Sequence, residues 1–396
     1  MRRLIFNYGK AVILFIVLLS LLGFYKAEAQ ETIRKIDLTG NLSNTRNLLL
    51  SEIASEITYV KLETNVDCHI SKMASYFVGN KYIGIHDRDL DCFYLFDTNG
   101  KFLRKIGSKG KGPCEYASIV SFGIDENEEF VYLYTWDNYI KKYSVSGEFA
   151  NSLKLDFIQS KITYIDNEEF LLTFPYPSSL RFNNYTFGIL NFEGKILQRL
   201  LYRDISGANP QQTLMHPYIY SYLDTLCFWE KYCDTIYSVT KDKKLVPRWV
   251  LDEPKKANSI AKQMDVAIKA NYEAGDFYTY GFVETPKMFF INAIYNNFIL
   301  GMIYEKDSHL LTRLPTSAYG NGYINDIDGG VYFFPSLYKN NRLYKFLELD
   351  RFIQLRTQGH LPDISAKDQK GKEILENLIK RHELNDNPVL MIVSLK

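Results

Sequence analysis

The 396-residue sequence has few of the patterns that announce a catalytic or metal site. Its five cysteines include no Cys-x-x-Cys pair and its six histidines do not cluster with them, so the ligand spacing of a zinc site is missing. No Gly-x-Ser-x-Gly segment is present, which argues against the nucleophile turn of the α/β-hydrolases. The sequence therefore assigns no catalytic residue.

An excess of charge of either sign is also missing, because 47 Lys and Arg face 46 Asp and Glu, for a formal net charge of +1. Nucleic-acid-binding domains usually carry a basic surplus, and adhesion to an anionic membrane requires a basic cluster. We therefore expect no nucleic-acid partner and no membrane-surface partner.

Apart from its start, the sequence has no long apolar run. Residues 1–10 carry three basic side chains, residues 11–22 are apolar except for Ser20, and Ala27-Glu28-Ala29 forms a small-x-small site. This is the layout of a secretory signal peptide, although the run nearly suffices for an uncleaved anchor. We predict a signal peptide at 1–29 and one exported domain at 30–396, periplasmic or at the cell surface or secreted, with no membrane span after cleavage.

The cysteine count is odd, so at least one thiol of an exported chain stays free or pairs between chains. Cys227 with Cys233, or Cys68 with Cys92, are candidates for a local bridge. Because a core of this size does not need disulfide support, we favour buried free thiols or an incidental bridge.

What the sequence does contain is a repeat. Three strand–turn–strand segments centre on Gly100, Gly147 and Gly194, which lie 47 residues apart, and a fourth copy carries Asp242 in the turn. Gly or Asp is expected where a tight hairpin turn needs a left-handed backbone.

A second hairpin precedes each of these turns, with an apolar strand, an acidic turn and an aromatic strand. It recurs at 77–85, 124–134, 165–173 and 327–334. Two hairpins per 40–50 residues make one four-stranded blade. We predict an all-β fold, a six-bladed β-propeller, with hairpin pairs near 76–104, 119–154, 162–200, 218–250, 282–313 and 323–349.

Four segments fall outside the hairpin pattern. Strand 57–62 precedes the first blade and strand 389–395 follows the last, and we expect one or both to complete a blade, which removes open sheet edges. Apolar residues at helical spacing predict a small helical insertion at about 254–274, between blades four and five, and a short C-terminal helix at 372–382.

The glycine-rich stretch 106–116 is the one candidate surface loop. Its glycines and lysines suit anion binding through backbone N–H groups, but a phosphate loop ends in Gly-Lys-Ser/Thr and opens a helix, whereas Gly112 leads into Pro113. We favour a structured connection between blades one and two. The candidate residues are Gly107, Lys109, Gly110, Lys111, Gly112, Pro113, Glu115 and Tyr116.

The spacing of Asp87, Asp89 and Asp91 imitates the start of a calcium loop. Cys92 and Thr98 then stand where such a loop needs Gly and Glu. His86 beside Asp87 is no acid–base pair, because neighbours on a strand face opposite sides. We predict a polar hairpin turn and no cofactor; calcium or another channel metal is not indicated.

Three motifs, in addition to the glycine-rich loop, carry a family resemblance. They are Phe96–Phe102 (Phe-Asp-Thr-Asn-Gly-Lys-Phe), Tyr59–Thr64 (Tyr-Val-Lys-Leu-Glu-Thr) and Asn387–Leu390 (Asn-Pro-Val-Leu). Together they resemble the exported six-bladed β-propellers of unknown function from gut and environmental Bacteroidetes, related to the NHL-repeat and TolB-like propellers. The likeness covers the mature chain and implies the same fold. Cys114 departs from it, because the family has glycine there, and a position that needs positive φ would strain cysteine.

Two functions fit this outline. The leading hypothesis is a monomeric, non-enzymatic binding or scaffold module for a protein, peptide or glycan, which meets one face or the central channel. The alternative is a propeller enzyme, a lyase or metal-dependent hydrolase, with acidic side chains converging on the channel. Fold alone decides neither; three or more converging His, Asp or Glu side chains favour the enzyme, and an apolar plug argues against it.

Overall fold

The predicted hairpins pair into six antiparallel blades of four strands in a computed structural model of the chain, and blade four gains a fifth strand. The fold class is therefore the six-bladed β-propeller predicted from the repeat. The structure describes residues 33–38, 42, 44–71, 74–156, 161–173, 185–202, 218–229, 234–253, 277–296, 298–315, 322–359 and 364–396.

The first five blades follow the chain in order, each pairing its four strands in sequence. Before them lie β1 (Arg34–Asp37), helix α1 (Leu50–Ile53) and β2 (Ala54–Lys61). Blade one is β3 (Ala74–Val78), β4 (Tyr82–Asp87), β5 (Cys92–Asp97) and β6 (Phe102–Lys105); blade two is β7 (Ile119–Ile124), β8 (Phe130–Thr135), β9 (Tyr139–Ser144) and β10 (Phe149–Lys154); blade three is β11 (Lys161–Tyr164), β12 (Glu169–Thr173), β13 (Tyr185–Asn191) and β14 (Ile196–Tyr202).

Blades four and five continue the pattern, and blade six combines both ends of the chain. Blade four is β15 (Tyr218–Tyr222), β16 (Thr225–Trp229), β17 (Thr235–Val239) and β18 (Leu245–Asp252), with β1 added parallel to β18; blade five is β19 (Phe277–Glu284), β20 (Met288–Tyr295), β21 (Phe298–Glu305) and β22 (Leu311–Arg313); blade six is β23 (Leu337–Lys339), β24 (Arg342–Leu347), β25 (Val389–Leu395) and β2.

The first strand of each blade lies innermost, since β7 contacts β11 and β19 contacts β23. The turns between first and second strands lie on one face, which we call the turn face. There Glu128 accepts the Lys81 and Tyr82 N–H groups at 2.7 and 3.0 Å. The second-to-third-strand turns and the connections between blades lie on the opposite face, which we call the loop face. There the Ile119 N–H donates to Asp91 at 2.8 Å.

The repeated glycines hold the turns between third and fourth strands. Gly100, Gly147 and Gly194 have φ values of 85°, 92° and 84°, so the predicted left-handed turn is confirmed at all three. In the fourth copy Lys243, not Asp242, takes the positive φ of 61°. Asp242 instead accepts a hydrogen bond from the Thr240 hydroxyl at 2.5 Å, which fixes the turn from its side chain.

Both chain ends complete blade six, as the sequence predicted. The order β2-β25-β24-β23 places the C-terminal strand third and the N-terminal strand outermost. β2 and β25 pair from Lys61 opposite Val389 to Ala54 opposite Leu395. The pairing closes the ring with backbone hydrogen bonds and leaves no open edge between the first and last strands.

The hairpin predicted at 327–334 is wrong, because this segment is irregular. Only a bridge between Tyr323 and Phe333 is formed there. The buried Asp328 side chain accepts the Gly330 N–H at 2.9 Å and the Asn325 amide at 2.7 Å, so a side chain takes the donor that a strand partner would take. The acidic turn is real, but it ends in a loop between blades five and six.

The C-terminal helix predicted at 372–382 is α3 (Gln369–Lys380), and a second helix, α2 (Leu349–Thr357), precedes it. Both lie between β24 and β25 and pack through Leu349, Phe352 and Leu375 in one apolar cluster. The helical insertion predicted at 254–274 lies outside the described residues. Within the described part of the chain, no helix is long and apolar enough to cross a bilayer.

Large side chains fill the interfaces between blades. Tyr132 of blade two stacks on Tyr164 of blade three at 5.1 Å between ring centroids, and Trp229 of blade four packs on Phe282 of blade five at 5.6 Å. Such ring pairs add about 0.5–1.5 kcal/mol beyond the burial of their area. The high Tyr and Phe content is thus used largely for blade packing.

Closure of the ring predicts a measurable cost for thinning β25. Met391 is fully buried in the cluster between blades five and six. We expect Met391→Ala to lower the free energy of unfolding by about 2–5 kcal/mol, because it leaves a cavity in a packed core. Urea unfolding at pH 7 measures the change.

The matched control is Ile374→Ala on α3, where the side chain is exposed. It should change the free energy of unfolding by less than about 0.5 kcal/mol. Equal unfolding midpoints for the two variants would show that the β25 side chains do not stabilise the closed ring.

Candidate functional site on the loop face

The glycine-rich stretch lies on the loop face, between β6 and β7. Its backbone closes on itself, since the Gly110 N–H donates to the Tyr116 carbonyl at 2.9 Å and the Tyr116 N–H donates to the Ser108 carbonyl at 3.0 Å. Gly107 has a φ of 67°, and a Cβ there would press on the rings of Tyr143 and Tyr116. The stretch is thus a folded connection between blades one and two.

A carboxylate of the loop itself lies against the backbone N–H groups that the sequence suggested for binding an anion. Glu115 accepts the Gly112 N–H at 2.7 Å, and its carboxylate also fills the space in front of Gly110. Lys109 forms an ion pair with Asp91 at 2.8 Å, although its side chain, like that of Lys111, is exposed. The predicted residues do come together, but most of their N–H groups already donate to acceptors of the same loop, and Lys109 pairs with Asp91.

Blade two holds the far side of the loop. Lys141 donates to the Pro113 carbonyl at 2.8 Å, and the Tyr143 hydroxyl donates to the Cys114 carbonyl at 2.9 Å. Tyr116 is buried and its hydroxyl reaches the Asp91 carbonyl at 3.3 Å. Cys114 is not among the residues with positive φ, so cysteine in place of glycine causes no backbone strain there.

The aspartates of the calcium-like spacing form the hairpin turn between β4 and β5. The buried Asp87 carboxylate accepts the Ser71, Asp89 and Leu90 N–H groups at 2.6, 3.0 and 2.9 Å. Burial opposes ionisation of Asp91, but the bonds from Lys109 and the Ile119 N–H hold its pKa below the ordinary value. These carboxylates therefore stabilise the turn and its contact with blade two.

His86 lies beneath this turn, between blades one and two. It is 2% exposed, its Nε2 has no partner within the described residues, and its ring meets Phe122 edge-on at 6.2 Å. Burial, with repulsion from Arg88, lowers the pKa of His86 to about 4. The histidine is neutral at pH 7 and is enclosed by apolar packing.

Two exposed apolar side chains flank the loop, and sequence reasoning missed both. Leu90 is 52% exposed in the turn of blade one, and Trp136 is 78% exposed in the corresponding turn of blade two. The Trp136 N–H donates to the Ser118 carbonyl at 2.9 Å, so it adjoins the start of β7. We call Leu90 and Trp136 the loop-face patch. A tryptophan at the head of a polar hairpin turn was the available signal.

The turn under Trp136 is held from several sides. The Thr135 hydroxyl donates to Asp137 at 2.5 Å, the Asn138 N–H donates to the Thr135 carbonyl at 2.9 Å, and the Tyr134 hydroxyl donates to the Asn138 side chain at 3.0 Å. Asn138 has a φ of 64°, which asparagine tolerates. The indole is presented on a fixed backbone.

The innermost strands carry aromatic side chains and few charges. Each of the six has at least one Tyr or Phe, and their charged residues are Lys161, Glu284 and Lys339. The described residues contain no group of three His, Cys, Asp or Glu side chains suited to a metal. Glu284 is thus the single carboxylate on these strands.

Glu284 is bound at the interface of blades four and five. Arg248 donates two hydrogen bonds to it at 2.8 and 2.9 Å, Lys306 donates at 2.7 Å, and the Tyr220 hydroxyl donates at 2.6 Å. The Glu284 side chain is 0% exposed. Burial lowers the pKa of Lys306 although Glu284 opposes the shift. Each oxygen of the Glu284 carboxylate thus accepts two hydrogen bonds, so the carboxylate is unavailable as a base.

The four described cysteines, Cys68, Cys92, Cys114 and Cys227, are free thiols. Neither local bridge considered from the sequence is formed by Cys68, Cys92 or Cys227, and Cys233 lies outside the described residues. Burial raises the pKa of Cys68 to about 12 and that of Cys227 to about 11. Buried thiols with raised pKa are poor nucleophiles.

A family model, described as a domain of unknown function (DUF4934), matches residues 33–394, which is the whole propeller. The chain belongs to the DUF4934 family. No curated protein matches the sequence. This match confirms the resemblance, inferred from the motifs, to an exported propeller family of unknown function. The relation to NHL-repeat propellers stays a prediction.

A solved structure shares the fold of this DUF4934 chain, and further ones align less well. A protein of Bacteroides fragilis described as exported aligns with a TM-score of 0.67 at 17% identity, covering 92% of this chain and all of the other. A DUF4221 family member from Bacteroides vulgatus gives 0.47 at 10% identity, with 87% and 97% covered. Virginiamycin B lyase from Staphylococcus aureus gives 0.39 at 15% identity, with 73% and 80% covered.

The Glu284 cluster predicts a large effect of removing one charge. In Glu284→Gln, Arg248 and Lys306 keep their buried charges without a counterion, and we expect a loss of about 3–5 kcal/mol in the free energy of unfolding. Urea unfolding measures it, with Glu305→Gln as control because Glu305 is exposed. A loss as small as that of the control would contradict the structural role of the cluster.

The buried His86 predicts a pH dependence of stability. Above its ordinary pKa of 6.5 neither state is protonated, so stability is complete. As the pH falls from 6.5 towards 4, the unfolded chain binds a proton that the folded chain does not. The free energy of unfolding should then drop by about 1.4 kcal/mol per pH unit. Urea unfolding from pH 7.5 to 4 measures this slope.

The control for this slope replaces an exposed histidine. His86→Gln should flatten the slope between pH 6.5 and 4, and His69→Gln should leave it as in the wild type, because His69 is exposed. A wild-type slope retained in the His86 variant would show that other groups cause it.

Proposed function

We propose that this protein is an exported, non-enzymatic binding propeller that takes a glycan on the loop-face patch, in the periplasm or at the cell surface. The signal-like segment at 1–29 supports export, as does the likeness to a Bacteroides fragilis protein described as exported. A monomer suffices for this role. The observation that carries the proposal is the exposure of Trp136 on a fixed turn.

Trp136 has the properties of a recognition residue. An indole that is 78% exposed gives up burial that a tryptophan normally gains. Its turn is already held by hydrogen bonds to Thr135 and Asn138, so little freedom is lost when a ligand stacks on the ring. Leu90 is exposed in the corresponding turn of the neighbouring blade.

The size and surroundings of the patch favour a sugar over a protein. One indole and one leucine give much less than the roughly 1,000 Å² that a specific protein interface needs. Exposed polar side chains, Arg88, Asp89 and Asp137, lie in the same two turns. A sugar ring presents an apolar face to stack on an indole, and hydroxyl groups at its edge can pair with these side chains. A protein or peptide ligand is the competing outcome.

The enzyme alternative finds no support in the described contacts. It required carboxylates converging on the channel, and the one on the described inner strands, Glu284, binds Arg248, Lys306 and Tyr220. His86 is enclosed between blades.

The test is a binding screen of the mature protein against glycan and peptide arrays, followed by calorimetry on each hit. We expect a glycan hit whose affinity falls about tenfold or more in Trp136→Ala, because the substitution removes the large apolar contact area of the indole. Trp136→Phe, which keeps a ring, should retain part of the affinity.

The matched control is Leu223→Ala, which removes an exposed apolar side chain from the turn face. It should bind as the wild type does. Hits confined to peptides would replace the glycan proposal, and a glycan hit unaffected by Trp136→Ala would move the site away from the loop-face patch.

A further inference from the structure

The turn that presents Trp136 has an exposed lysine bound to it. Lys154 is the last residue of β10, and its ammonium donates to the carbonyl of Asp137, which follows Trp136 in the chain. The Leu155 N–H donates to the Asn138 carbonyl at 2.8 Å, so the end of β10 is fixed beside this turn. The loop-face patch therefore has a cation against the turn that carries its indole.

A second lysine contacts the same aromatic ring as the first. The Lys154 ammonium lies 4.2 Å from the centroid of the Tyr139 ring, and the Lys141 ammonium lies 5.1 Å from that centroid. Lys141 is 4% exposed and donates to the Pro113 carbonyl at 2.8 Å. Both ammonium groups thus bind carbonyl oxygens, and neither forms an ion pair within the described residues. Two like charges at one ring without a counterion make the local potential positive.

The carboxylates of the same turn and of the adjoining loop are held by partners of their own. Asp137 accepts a hydrogen bond from a hydroxyl of its own turn at 2.5 Å, and Glu115 accepts the Gly112 N–H at 2.7 Å. Lys111 adds a further exposed cation to the loop, whose other lysine is neutralised in an ion pair. The remaining lysines of the turn and the loop therefore outnumber these two carboxylates.

We propose that the glycan on the loop-face patch is anionic, with a carboxylate or sulfate group that pairs with Lys154 while a sugar ring stacks on Trp136. This inference rests on the function proposed above and narrows its ligand to acidic sugars. The exposed Lys154 can meet the anion directly, since its ammonium lies at the surface of the turn. Lys141 contributes through its charge alone, because it is buried. Salt screens such a buried charge much less than an exposed one. A neutral sugar would use neither charge.

The carboxylate and the sulfate are separated by comparing each acidic glycan with its uncharged form. In calorimetry with the mature protein, oligogalacturonate is paired with its methyl ester, and a sulfated oligosaccharide from the glycan array is paired with its desulfated form. We expect a charged form to bind about tenfold or more tightly than its partner, because a charge-assisted hydrogen bond is lost with the charge. A difference in the first pair alone indicates a carboxylate, and one in the second pair alone indicates a sulfate.

Salt dependence gives a second readout of the same pairing. The affinity for the charged glycan should fall several-fold between about 50 and 300 mM NaCl, because an exposed ion pair is screened over this range. The affinity for the uncharged form should stay constant.

Variants of Lys154 locate the charge that the glycan meets. Lys154→Met should fold, since the side chain is exposed, and it should lower the affinity for the charged glycan about tenfold without changing that for the uncharged form. Lys154→Arg keeps the charge and should retain most of the affinity. Lys101→Met, which removes an exposed lysine from the turn between β5 and β6, is the matched control and should bind as the wild type does.

The outcomes separate this inference from the function on which it rests. Neutral glycans that bind in a Trp136-dependent way, and as tightly as acidic ones, would leave the proposed function standing and overturn the inference. The inference also fails if Lys154→Met binds the charged glycan as the wild type does. If peptides bind and no glycan of either kind does, the proposed function itself is wrong.

Discussion

The pairing of β2 with β25 is the interaction on which the rest of the structure depends. A propeller blade is apolar on both sides, and each side is buried only when the next blade packs against it. Six blades in a row would leave two such sides exposed. By joining residues 54–61 to residues 389–395, the chain buries these last two sides and fixes the number of blades. The segment before β2 adds to the closure, because β1 pairs with blade four and Thr45 bridges to Arg313 of blade five.

Closure of the ring also determines which hydrogen bonds the polar side chains between the blades make. Glu128 accepts backbone N–H groups from the neighbouring blade, Asp87 and Asp91 fix a turn, and Glu284 joins blades four and five. A buried carboxylate is tolerated only when such bonds replace its water. The acidic residues that resemble catalytic or metal-binding groups in the sequence are therefore the ones whose hydrogen bonds are already made within the fold.

The repeat made the fold predictable, because glycines 47 residues apart require the same turn in each copy. The same reasoning failed at 327–334, where the pattern of an acidic turn before aromatic residues matches a hairpin. There Asp328 is buried and binds the backbone of its own loop, and burial of a side chain is not encoded in local sequence. The contact of Glu115 with Gly112 was equally out of reach, since it depends on how the loop folds back. The sequence thus predicted the loop at 106–116, but not that the Glu115 carboxylate binds its backbone.

The candidate site lies where the copies differ, and this follows from what a repeat can encode. Residues shared by the blades serve the contacts that all blades make, so a ligand site arises from a side chain that breaks the pattern. Trp136 stands in a turn otherwise made of polar residues. In a closed ring of similar blades, an exposed side chain that breaks the shared pattern is therefore the feature that points to a ligand.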